Sequence, residues 1–161
     1  MSHLLNKIIK KPKTIVTTHT SAQTTTTSTG DTNVILGSEI TYEPEEGSTK
    51  VVYEISYCAE KINGYHFSLI QLEEYTSGSW SEINQKYRHN IGNWSVSQSQ
   101  RWYFHFRYVV PSWSGSRQLR INNKTYSSSS GSLSVHKMSQ WDGSGSITDK
   151  FCNTNLLVYS I

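Results

Sequence analysis

Long apolar runs, cysteine and proline are all scarce in this chain of 161 residues, which contains two cysteines and three prolines. No stretch approaches the ~20 consecutive apolar residues that a membrane helix needs, so we expect no membrane partner. Two cysteines make no metal site without suitably spaced histidine or carboxylate ligands, and no such spacing occurs. The six histidines form no zinc-hydrolase pattern, and no phosphate-binding loop or nucleophile elbow is present. We therefore predict a protein without catalytic residues, metal or other cofactor.

The two cysteines, Cys58 and Cys152, allow two states. Cys58 lies in a strand-like run, and Cys152 lies just before the last apolar segment. The interpretation we adopt is two reduced, partly buried thiols, because a free cysteine behaves as a small apolar residue. A disulfide between Cys58 and Cys152 is the alternative, and the sequence does not decide between the two.

Residues 1–30 lack acidic side chains and carry Lys7, Lys10, Lys11 and Lys13, which gives this segment a charge of +4. The remainder has 11 basic and 12 acidic residues, and its charge is −1. The folded part of the chain is therefore not a basic nucleic-acid binder, and we expect no specific nucleic-acid partner. We assign contact with a polyanion, and attachment to a larger particle, to these four lysines.

Residues 14–33, TIVTTHTSAQTTTTSTGDTN, are nearly all threonine, serine and other small polar residues. Threonine favours extended backbone, and the segment has too little apolar content to fold alone. We therefore divide the chain into a basic, threonine-rich arm at residues 1–33 and a folded domain at residues 34–161. The opening MSHLLNKIIKKPKT has an apolar stretch too short and too interrupted for a secretion signal, so we expect no export.

Alternation of apolar and polar residues predicts strands throughout the folded domain. The run KVVYEISYC places Val51, Tyr53, Ile55 and Tyr57 on one face, which is the period of a half-buried strand. The dipeptide Asn-Gly at residues 63–64 is a strong hairpin signal. About eight such runs occur, and no window shows helical apolar spacing. We predict an all-β, antiparallel, two-sheet jelly-roll sandwich of about eight strands that follows an extended N-terminal arm.

Two of these strands are apolar on both faces. RWYFHFRYVV, at residues 101–110, has aromatic residues on each side, and the final run NLLVYSI has apolar residues on each side. One domain of this size has a single core, so the second face of each strand needs another cover. Copies of the chain are the cover we expect, and outer loops are the alternative. The predicted oligomer interface consists of Tyr103, His105, Val109, Leu157, Tyr159 and Ile161.

These two runs together resemble the jelly-roll domains of the tumour necrosis factor and C1q type. In that type the chain ends on a central strand of an inner sheet, and this sheet packs around a threefold axis. The segment SEITYEPEEGSTKVVYEISY is similar to the opening of small virion proteins of marine bacteriophages. The resemblances cover about residues 34–161 and imply a homotrimer in a virion, with other capsid or tail proteins as partners. The implied role is a non-enzymatic capsid decoration, fibre or vertex protein attached through its arm.

A second function class is a binding module. Tryptophans at strand ends and in serine- and glycine-rich loops can stack on sugar rings, which would suit a lectin-like tip that recognises a host-surface glycan. The alternative is that these rings seal the ends of the sandwich or the sides of an interface, and we adopt it because no cluster of Asp, Asn or Gln accompanies them. The candidate glycan-binding residues are Trp80, Trp94, Trp113 and Trp141.

Overall fold

The computed structural model describes residues 12–25, 32–62, 64, 66–93, 100–126, 131–141 and 143–161. This part of the chain is built from strands, with one 3₁₀ turn at Gln85–Tyr87. The strands are β1 Lys13–Thr17, β2 Gln23–Thr25, β3 Thr32–Val34, β4 Ile40–Tyr42, β5 Lys50–Ile62, β6 His66–Thr76, β7 Ser79–Glu82, β8 Arg88–Asn93, β9 Gln100–Pro111, β10 Arg117–Thr125, β11 Ser132–Val135, β12 Lys137–Trp141, β13 Ile147–Phe151 and β14 Thr154–Ser160.

The first sheet is organised around β5. Strand β9 pairs with β5 along almost its whole length, from Lys50↔Pro111 to Lys61↔Gln100. On the other side, β14 pairs with the first half of β5 and β11 with the second half. Strands β1 and β2 then pair with β14 and β11, respectively. The sheet therefore has four rows, in the order β1 with β2, β14 with β11, β5, and β9.

The second sheet also has four rows, in the order β3 with β4, β10, β6, and β8 with β7. All of these pairings are antiparallel. Along the chain the rows alternate between the two sheets, except that β6 is followed by β7 and β8 of the same sheet. This is jelly-roll order, so the predicted fold class is confirmed. The prediction of about eight strands matches the number of rows but is below the number of strands, because several rows are built from two short strands.

The core lies between the two sheets. It contains the face of β5 that the alternation predicts, with Tyr53 and Ile55 at 0% exposure, and the even-numbered face of β9. Across from them lie Leu72 of β6 and Ile121 of β10, which are also fully buried. Burial of one side chain in every two fixes the register of each strand, because a slip by one residue would expose the whole apolar set.

The N-terminal segment differs from the free arm that we expected. Residues 13–17 and 23–25 are strands of the first sheet, and residues 32–34 pair with β10 of the second. Threonine-rich sequence suits such edge strands, because β-branched residues pack well on a pleated surface. Residues 1–11 and 26–31 lie outside the described residues.

Two local expectations were also wrong. Strands β5 and β6, which precede and follow the Asn-Gly dipeptide, do not form a hairpin, because they belong to different sheets. Residue 63 itself lies outside the described residues. Cys58 and Cys152 are joined by a disulfide rather than reduced, with Cα atoms 6.1 Å apart. The disulfide ties β5 to the end of the β12–β13 hairpin, which pairs only internally within the described residues.

In the described part of the chain, no helix has the length and apolar character needed to cross a bilayer.

Candidate functional site

The side of the first sheet that points away from the core, which we call the outer face, brings the predicted interface residues together. Register places Val109 beside Val52 of β5 and then Tyr159 of β14, and it places Arg107 beside Glu54 and then Leu157. His105 and Tyr103 follow on the same face of β9, since alternate side chains of a strand share a face.

A charged cluster occupies the middle of the outer face. The Glu54 carboxylate lies 3.2 Å from Nε2 of His105 and 3.5 Å from Nε of Arg107. Arg107 also donates a hydrogen bond of 3.3 Å to the hydroxyl of Tyr159. The hydrogen bond to Tyr159 and the nearby carboxylate both raise the pKa of Arg107.

Apolar side chains flank this cluster on both sides. Tyr103 is 74% exposed, and Val16 of β1 is 55% exposed. Leu157, Tyr159 and Val109 are half-buried, while Val52 beneath them is fully buried. The outer face therefore combines exposed aromatic and aliphatic groups with opposite charges, which is a composition found at protein–protein interfaces.

Ile161, the sixth predicted interface residue, follows β14 and is 49% exposed. Its backbone is held in place, because its N–H donates to the carbonyl of Lys50 and its carbonyl accepts from the N–H groups of Thr49 and Lys50. The last residues of the chain are thus ordered by β5 within a single copy.

The β12–β13 hairpin covers part of the outer face, so that copies of the chain are not needed there. Met138 of β12 is 1% exposed, and β12 lies against β5. The backbone N–H of Ser139 donates to the buried carboxylate of Glu60, which also pairs with Arg101 at 3.3 Å. One end of the outer face, around Cys58 and Glu60, is therefore covered within the chain, and no other described residues cover the region from Tyr103 to Tyr159.

The described candidate tryptophans lie in three separate settings. Trp80 stacks under the guanidinium of Arg120 at 4.0 Å. The guanidinium of Arg117 lies over the Trp113 ring, 5.2 Å from the ring centroid, and the same ring contacts Tyr42 edge-on. These contacts fit the sealing role that we adopted, because they occupy the ring faces that a sugar would use.

Trp141 is the described tryptophan with an open ring, at 68% exposure. It lies at the end of β12 opposite Ile147, and Ile147 and Phe151 on the same face of the hairpin are 70% and 42% exposed. Sequence reasoning included Trp141 but missed its two apolar neighbours, because only the hairpin register brings them to one side. Trp94 lies outside the described residues.

Lys13 is the one proposed attachment residue within the described part of the chain. It begins β1, and its ammonium group donates a 3.0 Å hydrogen bond to the carbonyl of Thr41. Lys7, Lys10 and Lys11 lie outside the described residues. Across the described ranges, no three His, Cys, Asp or Glu side chains converge as a metal site would require.

No family model and no curated protein matches this chain. A chain in the structure of infectious bursal disease virus, Gx strain, is similar over 95% of this chain, with 10% sequence identity and a TM-score of 0.38. A chain in the structure of the Gt strain is similar over 94%, with 11% identity and a TM-score of 0.36. This chain spans 37% and 38% of the length of those two chains. Similarity at this level carries no argument about function.

Proposed function

We propose that this protein is a non-enzymatic structural component of a bacteriophage virion that assembles as a homotrimer through the outer face. It serves as a capsid decoration or fibre-type protein, with other capsid or tail proteins as partners. The observation that carries the proposal is the exposed, mixed apolar and charged surface that runs from Tyr103 to Tyr159. A jelly roll with such a face on one sheet is suited to side-by-side packing of copies.

The chemistry of the outer face favours copies of the same chain as its cover. The Glu54 carboxylate and the Arg107 guanidinium lie on one patch, with Arg107 52% exposed. Each copy therefore offers both an acid and a base, and neighbouring copies related by rotation place opposite charges within reach of each other. The open Tyr103 ring adds an aromatic contact of the kind enriched at interfaces.

Attachment to the particle is assigned to the lysines before the first sheet, Lys7, Lys10 and Lys11, together with Lys13 at the start of β1. A cluster of lysines without acids attracts an anionic surface, and this attraction weakens as salt increases. Because β1, β2 and β3 belong to the sandwich, the segment available for attachment to the particle is shorter than the expected arm of 33 residues.

The Tyr103→Glu variant is expected to separate the copies without unfolding the sandwich, because this ring is mostly exposed and a carboxylate there would lie buried against a neighbour. The mass in dilute solution should fall from three times 18.3 kDa to that of one chain. Light scattering after size-exclusion chromatography measures this change.

The matched control is Tyr126→Glu, since Tyr126 is also exposed, at 58%, but follows β10 of the second sheet. This variant should keep the mass of the wild type. A wild-type chain that is a single copy at micromolar concentration would contradict the trimer.

Removing residues 1–11 from the full chain tests attachment separately. The shortened chain is expected to keep its oligomeric mass and circular dichroism spectrum but to be lost from purified particles, which mass spectrometry of the particles would show. A variant with Lys7, Lys10 and Lys11 changed to glutamine should behave in the same way. Retention of both variants on particles at wild-type levels would overturn the attachment role.

A glycan-binding tip is the second candidate, and the exposure of Trp141 favours it. The indole ring lies beside Ile147, and the Lys137–Asp149 ion pair of 2.7 Å supplies a polar donor and acceptor on the same face of the hairpin. A glycan array probed with the wild-type chain and with Trp141→Ala distinguishes this candidate, since trimer formation does not require Trp141.

A further inference from the structure

Two histidines from distant parts of the chain stack face to face near the disulfide. The ring centroids of His19 and His136 are 3.6 Å apart, and the ring planes differ by 5°. His19 lies between β1 and β2, whereas His136 lies between β11 and β12 and is fully buried. We call these residues the histidine pair, and they connect the N-terminal strands to the centre of the first sheet.

A single hydroxyl group determines which nitrogen of each ring carries the hydrogen. Oγ1 of Thr154 lies 2.9 Å from Nε2 of His19 and 3.2 Å from Nδ1 of His136, and it donates its one hydrogen to the carbonyl of Leu36 at 3.1 Å. Thr154 must therefore accept from both rings, so Nε2 of His19 and Nδ1 of His136 carry hydrogen, and the other nitrogen of each neutral ring is bare. That nitrogen in His136, Nε2, is buried and has no hydrogen-bond partner.

The surroundings offer the pair no compensating negative charge. Tyr57 contacts the His136 ring edge-on at 6.2 Å, and burial raises the pKa of its hydroxyl, so it stays neutral. Glu60 on β5 is bound to Arg101 and to the N–H of Ser139. Lys137, next in the chain, pairs with Asp149 on β13. Within the described residues, neither histidine ring forms an ion pair.

We propose that the histidine pair is a pH-operated latch, which holds β1 and β2 on the first sheet near neutral pH and releases them in acid. The next proton must go to the bare nitrogen of either ring. On His136 this places a charge in a buried site without an acceptor, and on both rings it places two charges 3.6 Å apart. Separation of the segment around His19 relieves both penalties.

The direction in which pH changes the stability of the latch follows from the pKa values. Burial lowers the pKa of His136 to about 4, with the neighbouring His19 as a further cause, and burial also lowers the pKa of His19. An exposed histidine titrates near 6.5. Between pH 6.5 and 4 the released state therefore binds more protons, so the latch is fully closed above pH 6.5 and weakens as the pH falls to 4.

The released strands are suited to local opening. Strand β1 is an edge strand with few buried side chains, of which Ile15 is the partly buried contact to the core. Few buried contacts mean a low free energy of local opening. Release would expose the edges of β14 and β11 and free the basic segment that precedes β1, which goes beyond the proposed structural role and does not depend on it.

Hydrogen exchange measured by mass spectrometry on the full chain tests the latch, after correction for the intrinsic pH dependence of exchange. Peptides from residues 13–25 should lose about 20-fold in protection between pH 7 and pH 5. Peptides from β10, residues 117–125, should keep theirs. His66 is also buried with a lowered pKa, so equal loss in both regions would report global acid destabilisation and would overturn the latch, as would no loss in either.

The His19→Phe variant retains a ring that can stack but cannot carry a charge. In this variant the extra loss of protection in residues 13–25 at pH 5 should be smaller than in the wild type, because the charge of His19 and its repulsion of a protonated His136 are removed, while the buried His136 still titrates. The control is His89→Phe, on β8 of the second sheet, which should show the wild-type pH dependence. If His19→Phe fails to fold, the comparison of the two peptides in the wild type still decides the question.

Discussion

Replacement of both Cys58 and Cys152 by serine is expected to lower the free energy of unfolding by about 4 kcal/mol. The disulfide joins positions 94 residues apart, so it removes a large closed loop from the unfolded ensemble. In the folded protein, the backbone on either side of it is already held, since the N–H of Cys152 donates to the carbonyl of His136 at 2.9 Å. Urea denaturation followed by tryptophan fluorescence measures the change.

Reduction of the wild-type protein with dithiothreitol provides the control for this prediction. The reduced wild type should match the double variant, and the reductant should leave the double variant unchanged. A difference below about 1 kcal/mol between the oxidised wild type and the double variant would contradict the stabilising role.

The second large effect is expected at Glu73, which is 5% exposed on β6. Its carboxylate accepts hydrogen bonds from Gln71 at 3.0 Å, Arg120 at 2.8 Å and Asn122 at 2.7 Å. The Glu73→Leu variant removes the acceptor for all three donors and leaves the guanidinium of Arg120 without its acid. Breaking a buried pair in this way costs about 3 kcal/mol. Thermal and urea denaturation of the variant measure the loss.

Glu82 supplies a matched control on the same sheet. It pairs with Arg88 at 2.6 Å, but Arg88 is 38% exposed, so water screens the interaction and replaces the lost partner. The Glu82→Leu variant should therefore lose no more than about 1 kcal/mol. Equal losses in the two variants would show that burial does not decide the contribution of these ion pairs.

The period-two pattern of β5 and β9 was predicted correctly because it is a local property. Neighbouring side chains of a strand point to opposite faces whatever the strand pairs with. The pattern therefore identified Tyr53 and Ile55 as core residues and placed Tyr103 and His105 together on the opposite face of the sheet.

The errors all concern contacts between distant segments. The threonine-rich stretch looked like a free arm because its composition lacks apolar residues, yet β14 and β11 supply the backbone partners that make it sheet. Residues 63–64 carry a strong turn signal, but the chain passes there from one sheet to the other. The disulfide could not be read from two cysteines 94 positions apart, because their proximity depends on how the β12–β13 hairpin folds over β5.

The sequence by itself determined that this protein is an antiparallel β-sandwich and which side chains share a face of each strand, since alternation is encoded between adjacent residues. Only the tertiary structure decided which strands are neighbours, how the hairpin covers one end of the outer face, and that His19, His136 and Thr154 meet. The physical reason is that strand pairing and side-chain stacking join residues far apart in the chain, and backbone hydrogen bonds, which every residue offers alike, leave no mark of their partner in the sequence.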